Sequence, residues 1–285
     1  MKVFITGASG KIGSKLVDFL IKKKYNCILN SRKKIKKYRK KILRSDILKK
    51  NFNMPECDAV IHMAAITPEK NKKKIFLNKL IDKKIFDKIK KNKNIKKLIF
   101  FSTVAVYNNL NKMKKLNENS KNFSVSNYST FKIKSEKLFM RNRKIKVYNI
   151  RVPALLSDKK DNNFISNLVK KIKNSEKIEL YNSNQLFNNF LLIDSLNKFI
   201  DNLLKENYES GCIVLGSNQP ISLLKITKII SRYFNVDNKI KWSIDKRKGF
   251  YLNLSNAIKR YRFKPVNTKI SLIRYLKRNY IKQYE

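Results

Sequence analysis

The sequence predicts an α/β fold built on a doubly wound parallel sheet, and three observations predict it. The chain opens with a short apolar run, Val3-Phe4-Ile5, of the kind a strand buried on both faces needs. A glycine-punctuated turn follows, Thr6-Gly7-Ala8-Ser9-Gly10-Lys11-Ile12-Gly13, and leads into a helical pattern with Ile12, Leu16, Phe19 and Leu20 on one face. Short apolar runs then alternate with longer amphipathic ones, the rhythm of βαβ units.

The first strand and turn carry the most information. Gly7 allows a tight turn, Gly10 lets the backbone approach a pyrophosphate, and Gly13 lets helix and strand pack closely. The amide groups and the dipole at the start of the helix, around Ser9, Gly10, Lys11 and Ile12, favour a bound anion. The spacing alone is common. Between a strand and a helix it reads as a dinucleotide-binding turn.

The remaining elements follow in order. A helix is expected over Gly10 to Lys23, and a second strand over Tyr25 to Asn30. That strand ends at Ser31-Arg32-Lys33, where a dinucleotide fold inspects the adenosine ribose. A carboxylate there accepts from the 2′-hydroxyl, whereas an arginine suits a 2′-phosphate. Ser31 and Arg32 stand where the acid belongs, which favours NADP over NAD; the bland alternative is one more basic residue in a basic loop. A short third strand, Ile42 to Arg44, leads to Ser45-Asp46-Ile47, where Asp46 either accepts from the adenine amino group or caps the next helix.

Ala59 to His62 is the fourth strand, followed by Met63-Ala64-Ala65, small residues beside the cofactor crevice. His62 is the only histidine, so no triad and no multi-histidine metal site can form; at a strand end it reads first as a structural residue. A helix over Lys74 to Lys91 presents Ile75, Phe76, Leu80, Ile81, Ile85 and Ile89 to a core. The fifth strand, Lys97 to Phe101, delivers Ser102-Thr103 at its carboxyl end, the edge where open α/β sheets build sites. The polar stretch from Asn108 to Asn127 reads as irregular loop, and a helix then carries Tyr128, Lys132, Glu136 and Phe139.

Tyr128 and Lys132 lie one helical turn apart. A phenol with a pKa near 10 is a poor base at neutral pH. An ammonium one turn away, with an oxidised nicotinamide nearby, favours the phenolate and brings it toward working range. Lys132 can also hold ribose hydroxyls, and Thr103 can hydrogen-bond the substrate oxygen. A chance Tyr-x-x-x-Lys is cheap in a lysine-rich chain, but its place after a strand ending in Ser-Thr argues against chance.

At this point the chain resembles the extended short-chain dehydrogenase/reductases, in the NAD-dependent epimerase/dehydratase branch acting on nucleotide sugars. The resemblance rests on Thr6 to Gly13, Asp46-Ile47, His62-Met63-Ala64-Ala65, Ser102-Thr103-Val104-Ala105-Val106-Tyr107, and Tyr128 with Lys132. Ile150-Arg151-Val152-Pro153 looks like the sixth strand, which brings Val152 to the nicotinamide site. Phe190 to Asp194, Cys212 to Ser217 with Ile221-Ser222, and Leu254 to Pro265 resemble the later strands, a capped helix and the C-terminal lobe. The resemblance implies a Rossmann-type doubly wound parallel sheet with a small C-terminal substrate-binding lobe. Residues 1–150 would form the NAD(P)-binding domain, and residues 151–285 the remaining sheet elements interleaved with the lobe.

The implied catalytic residues are Thr103, Tyr128 and Lys132. The implied cofactor contacts are Gly7, Ser9, Gly10, Lys11, Ile12, Gly13, Ser31, Arg32, Asp46, Ile47, Ala64, Ala65, Tyr128, Lys132 and Val152, with no metal. Family 4,6-dehydratases place an Asp-Glu pair after the catalytic Thr; Val104-Ala105 stand here, which disfavours that reaction and leaves 4-epimerase or 4-keto reductase chemistry. An Asn expected after Arg151 is replaced by Val152-Pro153-Ala154, a basic residue by Asn188, and a His by Leu192, which weakens the usual diphosphate clamp. The family also implies a homodimer through the helices around Ile75–Ile89 and Tyr128–Phe139.

Composition bounds the alternatives. At 285 residues and 42% hydrophobic, the chain can bury one large core or a core and a lobe. It has no apolar run near the ~20 residues of a membrane span, and its start has no secretory h-region. Cys27, Cys57 and Cys212 are scattered thiols that fit a reducing cytosol, so a cytoplasmic protein is expected. The 67 Lys and Arg against 20 Asp and Glu give +47, a balance that ordinarily points to nucleic acid or an anionic surface. The lysines are spread over nearly every helix and loop among Asn and Ile, which reads as compositional drift, and no nucleic-acid module is visible. A polyanion-binding or cofactor-sensing protein on the same scaffold is the alternative.

Overall fold

A computed structural model describes residues 1–32, 36–67, 72–107, 114–121, 126–237, 240–243 and 249–280. In chain order it runs β1 (Lys2–Thr6), α1 (Lys11–Lys22), β2 (Asn26–Ser31), β3 (Ile42–Arg44), β4 (Ala59–His62), α2 (Leu77–Lys91) and β5 (Lys97–Thr103). It continues with β6 (Lys114–Leu116), α3 (Asn127–Met140), β7 (Lys146–Val152), β8 (Ala154–Leu156), α4 (Phe164–Lys173) and β9 (Ile178–Tyr181). The last part holds β10 (Leu186–Phe187), β11 (Phe190–Leu192), α5 (Ile193–Lys205), β12 (Gly211–Val214) and β13 (Ile221–Ser222). It ends with α6 (Leu223–Phe234), β14 (Ile240–Ser243), β15 (Phe250–Leu252), α7 (Ser255–Tyr261) and α8 (Thr268–Asn279).

The chain divides into two compact units: Met1–Val106, Ser124–Arg151 and Asn197–Ile213 form the first, and Tyr107–Phe123, Val152–Leu196 and Val214–Glu285 the second. The first is built on a seven-stranded sheet of order β12-β7-β5-β4-β1-β2-β3. β1 pairs in parallel with β2 and β4, β2 with β3, and β4 with β5. The order therefore reverses beside β1, and a doubly wound sheet opens its crevice at the carboxyl ends of the strands at such a reversal. Phe4, Val60, Leu98 and Phe100 face one side of the sheet and meet Ile81, Ile85 and Ile89 of α2 and Phe139 of α3. Phe100 and Phe139 pack with ring centroids 4.8 Å apart. Each such buried side chain contributes about 1.5–3 kcal/mol relative to exposure.

Polar ties fix the edges of this unit. Lys97 sends its ammonium to the carbonyls of Leu203 (3.3 Å), Leu204 (2.7 Å) and Glu206 (2.6 Å), filling the acceptors at the end of α5. Burial lowers the pKa of that ammonium. α2 begins at Leu77, later than the apolar stripe predicts, and its Asn78 amide holds Ile66, accepting from its N–H (2.8 Å) and donating to its C=O (2.9 Å).

The second unit has its own core, in which Ile165, Val169 and Ile172 of α4, Ile226 and Ile230 of α6, and Leu272 and Leu276 of α8 come together. Asn163, Ser222 and Asn267 cap these helices by accepting from first-turn amides. Short two-stranded pairs complete it, among them β8 with β11 and β6 with β15. The stretch expected to be irregular after Tyr107 thus contains a strand, Lys114–Leu116, whose parallel partner lies at Phe250–Leu252. Residues 108–113 and 122–125 of that stretch, like Lys33, lie outside the described residues.

Candidate active site

The glycine turn leaves β1 at Thr6. Gly7 has φ +73, the left-handed region that glycine adopts without cost. A Cβ there would lie 2.8 Å from the Ala64 nitrogen, so the turn after β1 and the residues after β4 touch backbone to backbone. A Cβ on Gly13 would stand 2.2 Å from the Gly7 carbonyl, and on Gly10 3.1 Å from the same oxygen. The Gly10 N–H closes the turn on Gly7 O at 3.0 Å, and no side chain caps α1 at Gly10. A bare backbone cradle at a helix start fits a dinucleotide pyrophosphate. Ser9 and Lys11 are exposed on it, Ile12 is half-buried and Gly13 buried.

At the end of β2, Ser31 is buried and Arg32 exposed. Asn30, which the sequence reading passed over as strand, is buried and donates from its amide to Ser45 O (3.2 Å) and Oγ (2.9 Å). Asp46 accepts from the Leu48 N–H at 2.9 Å in a turn, and no helix follows it for the side chain to cap; the Ile47 side chain joins the core. Ala65 is half-buried. Val152 ends β7 and belongs to the second unit.

α3 carries the remaining chemistry. Ser126 caps it, accepting from the Ser129 N–H at 3.2 Å. Lys132 is 2% exposed; its ammonium donates to Phe101 O at 2.9 Å, lies 4.4 Å from the Phe100 ring centre and 5.9 Å from that of half-buried Tyr128. Two residues beyond Phe101, Thr103 Oγ1 accepts from the Ala105 N–H (3.1 Å), which orients the hydroxyl and leaves its proton to donate. Tyr128, Lys132 and the end of β5 are thus brought to one place, with Val104 and Ala105 in the turn that follows.

Two buried polar clusters that the sequence reading missed hold α3. Glu136 takes Arg151 Nε (3.0 Å) and Nη2 (2.7 Å) on its two oxygens, and the Ser102 hydroxyl donates to the same carboxylate. Asp82 of α2 accepts from His62 Nε2 (2.9 Å) and from Ser135 Oγ (2.6 Å). Burial alone would raise the Asp82 pKa, but the His62 hydrogen bond, the Lys132 ammonium and the Ser135 hydroxyl outweigh it and hold the carboxyl below its usual range. Asp82 therefore supports the fold above the ordinary carboxylate range, and that support is lost on acidification through its lowered pKa. Ser135 and Glu136 follow Lys132 along the helix, so a Tyr-x-x-x-Lys followed by Ser-Glu was the signal available. Cys57 and Cys212 are free thiols that burial pushes up to about 12 and about 11.

Asn188, which stands where a basic diphosphate ligand was expected, is fully engaged inside the second unit. It donates to Ser217 O (3.0 Å) and Leu252 O (2.9 Å) and accepts from the Leu252 N–H (2.7 Å).

Comparison with known proteins bears on the fold and the family. The chain is 26% identical over 266 residues to a dTDP-D-glucose 4,6-dehydratase of Dictyostelium discoideum, covering 80% of this chain and 61% of that protein. It thus spans about three fifths of the length of that curated relative. Among solved structures, UDP-N-acetylglucosamine 4-epimerase from Bacillus cereus superposes with a TM-score of 0.79 at 20% identity, over 96% of this chain and 98% of that one. UDP-glucuronic acid 4-epimerase from Bacillus cereus, solved with NAD, gives 0.79 at 21% identity, over 98% and 100%. These likenesses show a shared Rossmann-type fold. Residues 3–214 match the description of a single family, and the chain belongs to it: the NAD dependent epimerase/dehydratase family.

Proposed function

We propose that the chain is a nicotinamide-dependent enzyme exchanging a hydride at a sugar carbon of a nucleotide sugar, as a 4-epimerase or a 4-keto reductase. The observation that carries the reading is the seating of the Lys132 ammonium between Phe101 O and the Tyr128 ring, beside Thr103 at the sheet edge. Gly7, Gly10 and Gly13 would hold the pyrophosphate, and Lys132 the adjoining ribose. A bound nicotinamide supplies the hydride exchange.

Tyr128 supplies the proton step. Its phenolic oxygen takes the proton of the sugar hydroxyl on oxidation and returns it on reduction, with the Lys132 ammonium one turn along α3. Thr103 donates to the same sugar oxygen and fixes its direction, work that Ser102 cannot share because its hydroxyl is spent on Glu136. Val104 and Ala105 have no proton to move, so elimination of water finds no acid or base in that turn. The dehydratase relative makes elimination the second reading, told apart by product.

Incubation with UDP-glucose, UDP-N-acetylglucosamine and dTDP-glucose in the presence of NAD should yield a C4 epimer. A 4-keto sugar nucleotide that consumes NADPH marks the reductase, and a 4-keto-6-deoxy product the dehydratase. On whichever substrate turns over, Tyr128→Phe should lower kcat at least ~100-fold and leave the Kd for NAD within about twofold. Unchanged kcat would remove Tyr128 from the chemistry.

A further inference from the structure

Four polar side chains form one unbroken line through the first unit, and the proton and hydride steps use none of them. Thr6 ends β1, His62 ends β4, Asp82 lies in α2 and Ser135 in α3; their exposures are 0%, 0%, 1% and 3%. The direction of the line follows from the donors. The Asp82 carboxylate has no proton to give, so His62 donates to it from Nε2 (2.9 Å). With Nε2 as the donor, the tautomer that completes the line accepts at Nδ1 from the Thr6 hydroxyl (2.6 Å). The Thr6 oxygen in turn accepts from the Ala64 N–H at 3.2 Å. Ser135 donates to the other Asp82 oxygen from the far side (2.6 Å).

Burial and packing would not require this line to join the two places it joins. At one end, Thr6 immediately precedes Gly7 and holds Ala64, whose nitrogen is the atom a Gly7 side chain would strike. At the other, Ser135 lies one turn along α3 from Lys132, whose ammonium offsets the Asp82 charge. A shift of the glycine turn must pass to α3 or break a buried hydrogen bond, and a buried unpaired carboxylate is costly. We infer that Thr6, His62, Asp82 and Ser135 are positioning residues that couple occupancy of the glycine turn to the seating of α3, and so set Lys132 and Tyr128 for the proton step. The inference rests on the role given above to those two residues.

The sole histidine of the chain makes the coupling directly readable, because isotope-labelled protein gives one assignable pair of ring-nitrogen NMR signals. The protein should show Nε2 protonated and Nδ1 bare, and titration with NAD should move the Nδ1 signal. A ring that ignores NAD while NAD binds overturns the inference. The second arm is a cycle on the Kd for NAD with Thr6→Val, Ser135→Ala and the double variant, each checked for cooperative thermal unfolding. Each single change should weaken NAD about fivefold or more, the low end of site-to-site coupling. The double should fall within about twofold of the worse single, since one broken line cannot be broken twice. Ser135→Thr, which keeps the hydroxyl, should restore affinity. Singles without effect, or a double that weakens NAD by the product of the two, overturn the coupling. Turnover that survives Tyr128→Phe would instead remove the acid/base reading and leave both NAD readouts in force; a protein that binds no NAD loses both.

Discussion

Arg32 and Asn30 stand two residues apart at the end of β2 and pull in opposite directions. Arg32 is exposed and carries the fork that grips a 2′-phosphate. Asn30 is buried, and with its amide N–H groups spent on Ser45, its carbonyl oxygen is the part that can accept from a ribose hydroxyl. The first favours NADP, the second NAD. Charge-assisted hydrogen bonds contribute about 1.5–3 kcal/mol. Arg32→Ala should therefore weaken NADP about 10- to 100-fold by calorimetry and leave NAD within twofold. Equal losses for both would make Arg32 one more cation among 67 basic residues.

At the scale of elements the site depends on where α3 sits. The Arg151–Glu136 pair ties the helix to β7 with both side chains about 95% buried. Removing one partner leaves the other charge without compensation, which costs about 3–5 kcal/mol. Arg151→Met should lower the unfolding free energy by that amount in a urea titration, and a loss under about 1 kcal/mol would mean that water reaches Glu136. The exposed Lys83–Asp87 pair of α2 is the control, at about 0–1 kcal/mol. The elements themselves were legible in the sequence: β1, α1, β4 and β5 fall within a few residues of their predicted places. Apolar periodicity is a local signal, and these elements are buried by it. The ties between elements were not legible. Thr6 meets His62 across 56 positions, Ser135 meets Asp82 across 53, and β6 meets β15 from the far end of the chain. Lys-Lys-Leu carries no alternation that would announce a strand. Only the fold brings such partners together, so His62 read as a lone residue until its neighbours were in place.

At the scale of the whole molecule the unexplained feature is charge. Each unit has an apolar core of its own, so the fold does not need the excess lysines, and among the described residues the ion pairs they make are mostly exposed. A chain at +47 repels itself, and the repulsion is long-ranged only at low salt. Raising NaCl from about 20 mM to about 300 mM shortens the screening length from tens of ångströms to about 6 Å, so the midpoint of thermal unfolding should rise over that range and then level off. The same screening separates drift from function. Lysines that merely fill solvated positions hold heparin or RNA by diffuse attraction, and the protein should elute below about 0.5 M salt, where the screening length is only a few ångströms. A shaped polyanion site makes close contacts that survive that screening. Retention on heparin beyond ~0.5 M, displaced by RNA but not by NAD, would assign the charge a partner and make the scaffold more than an enzyme.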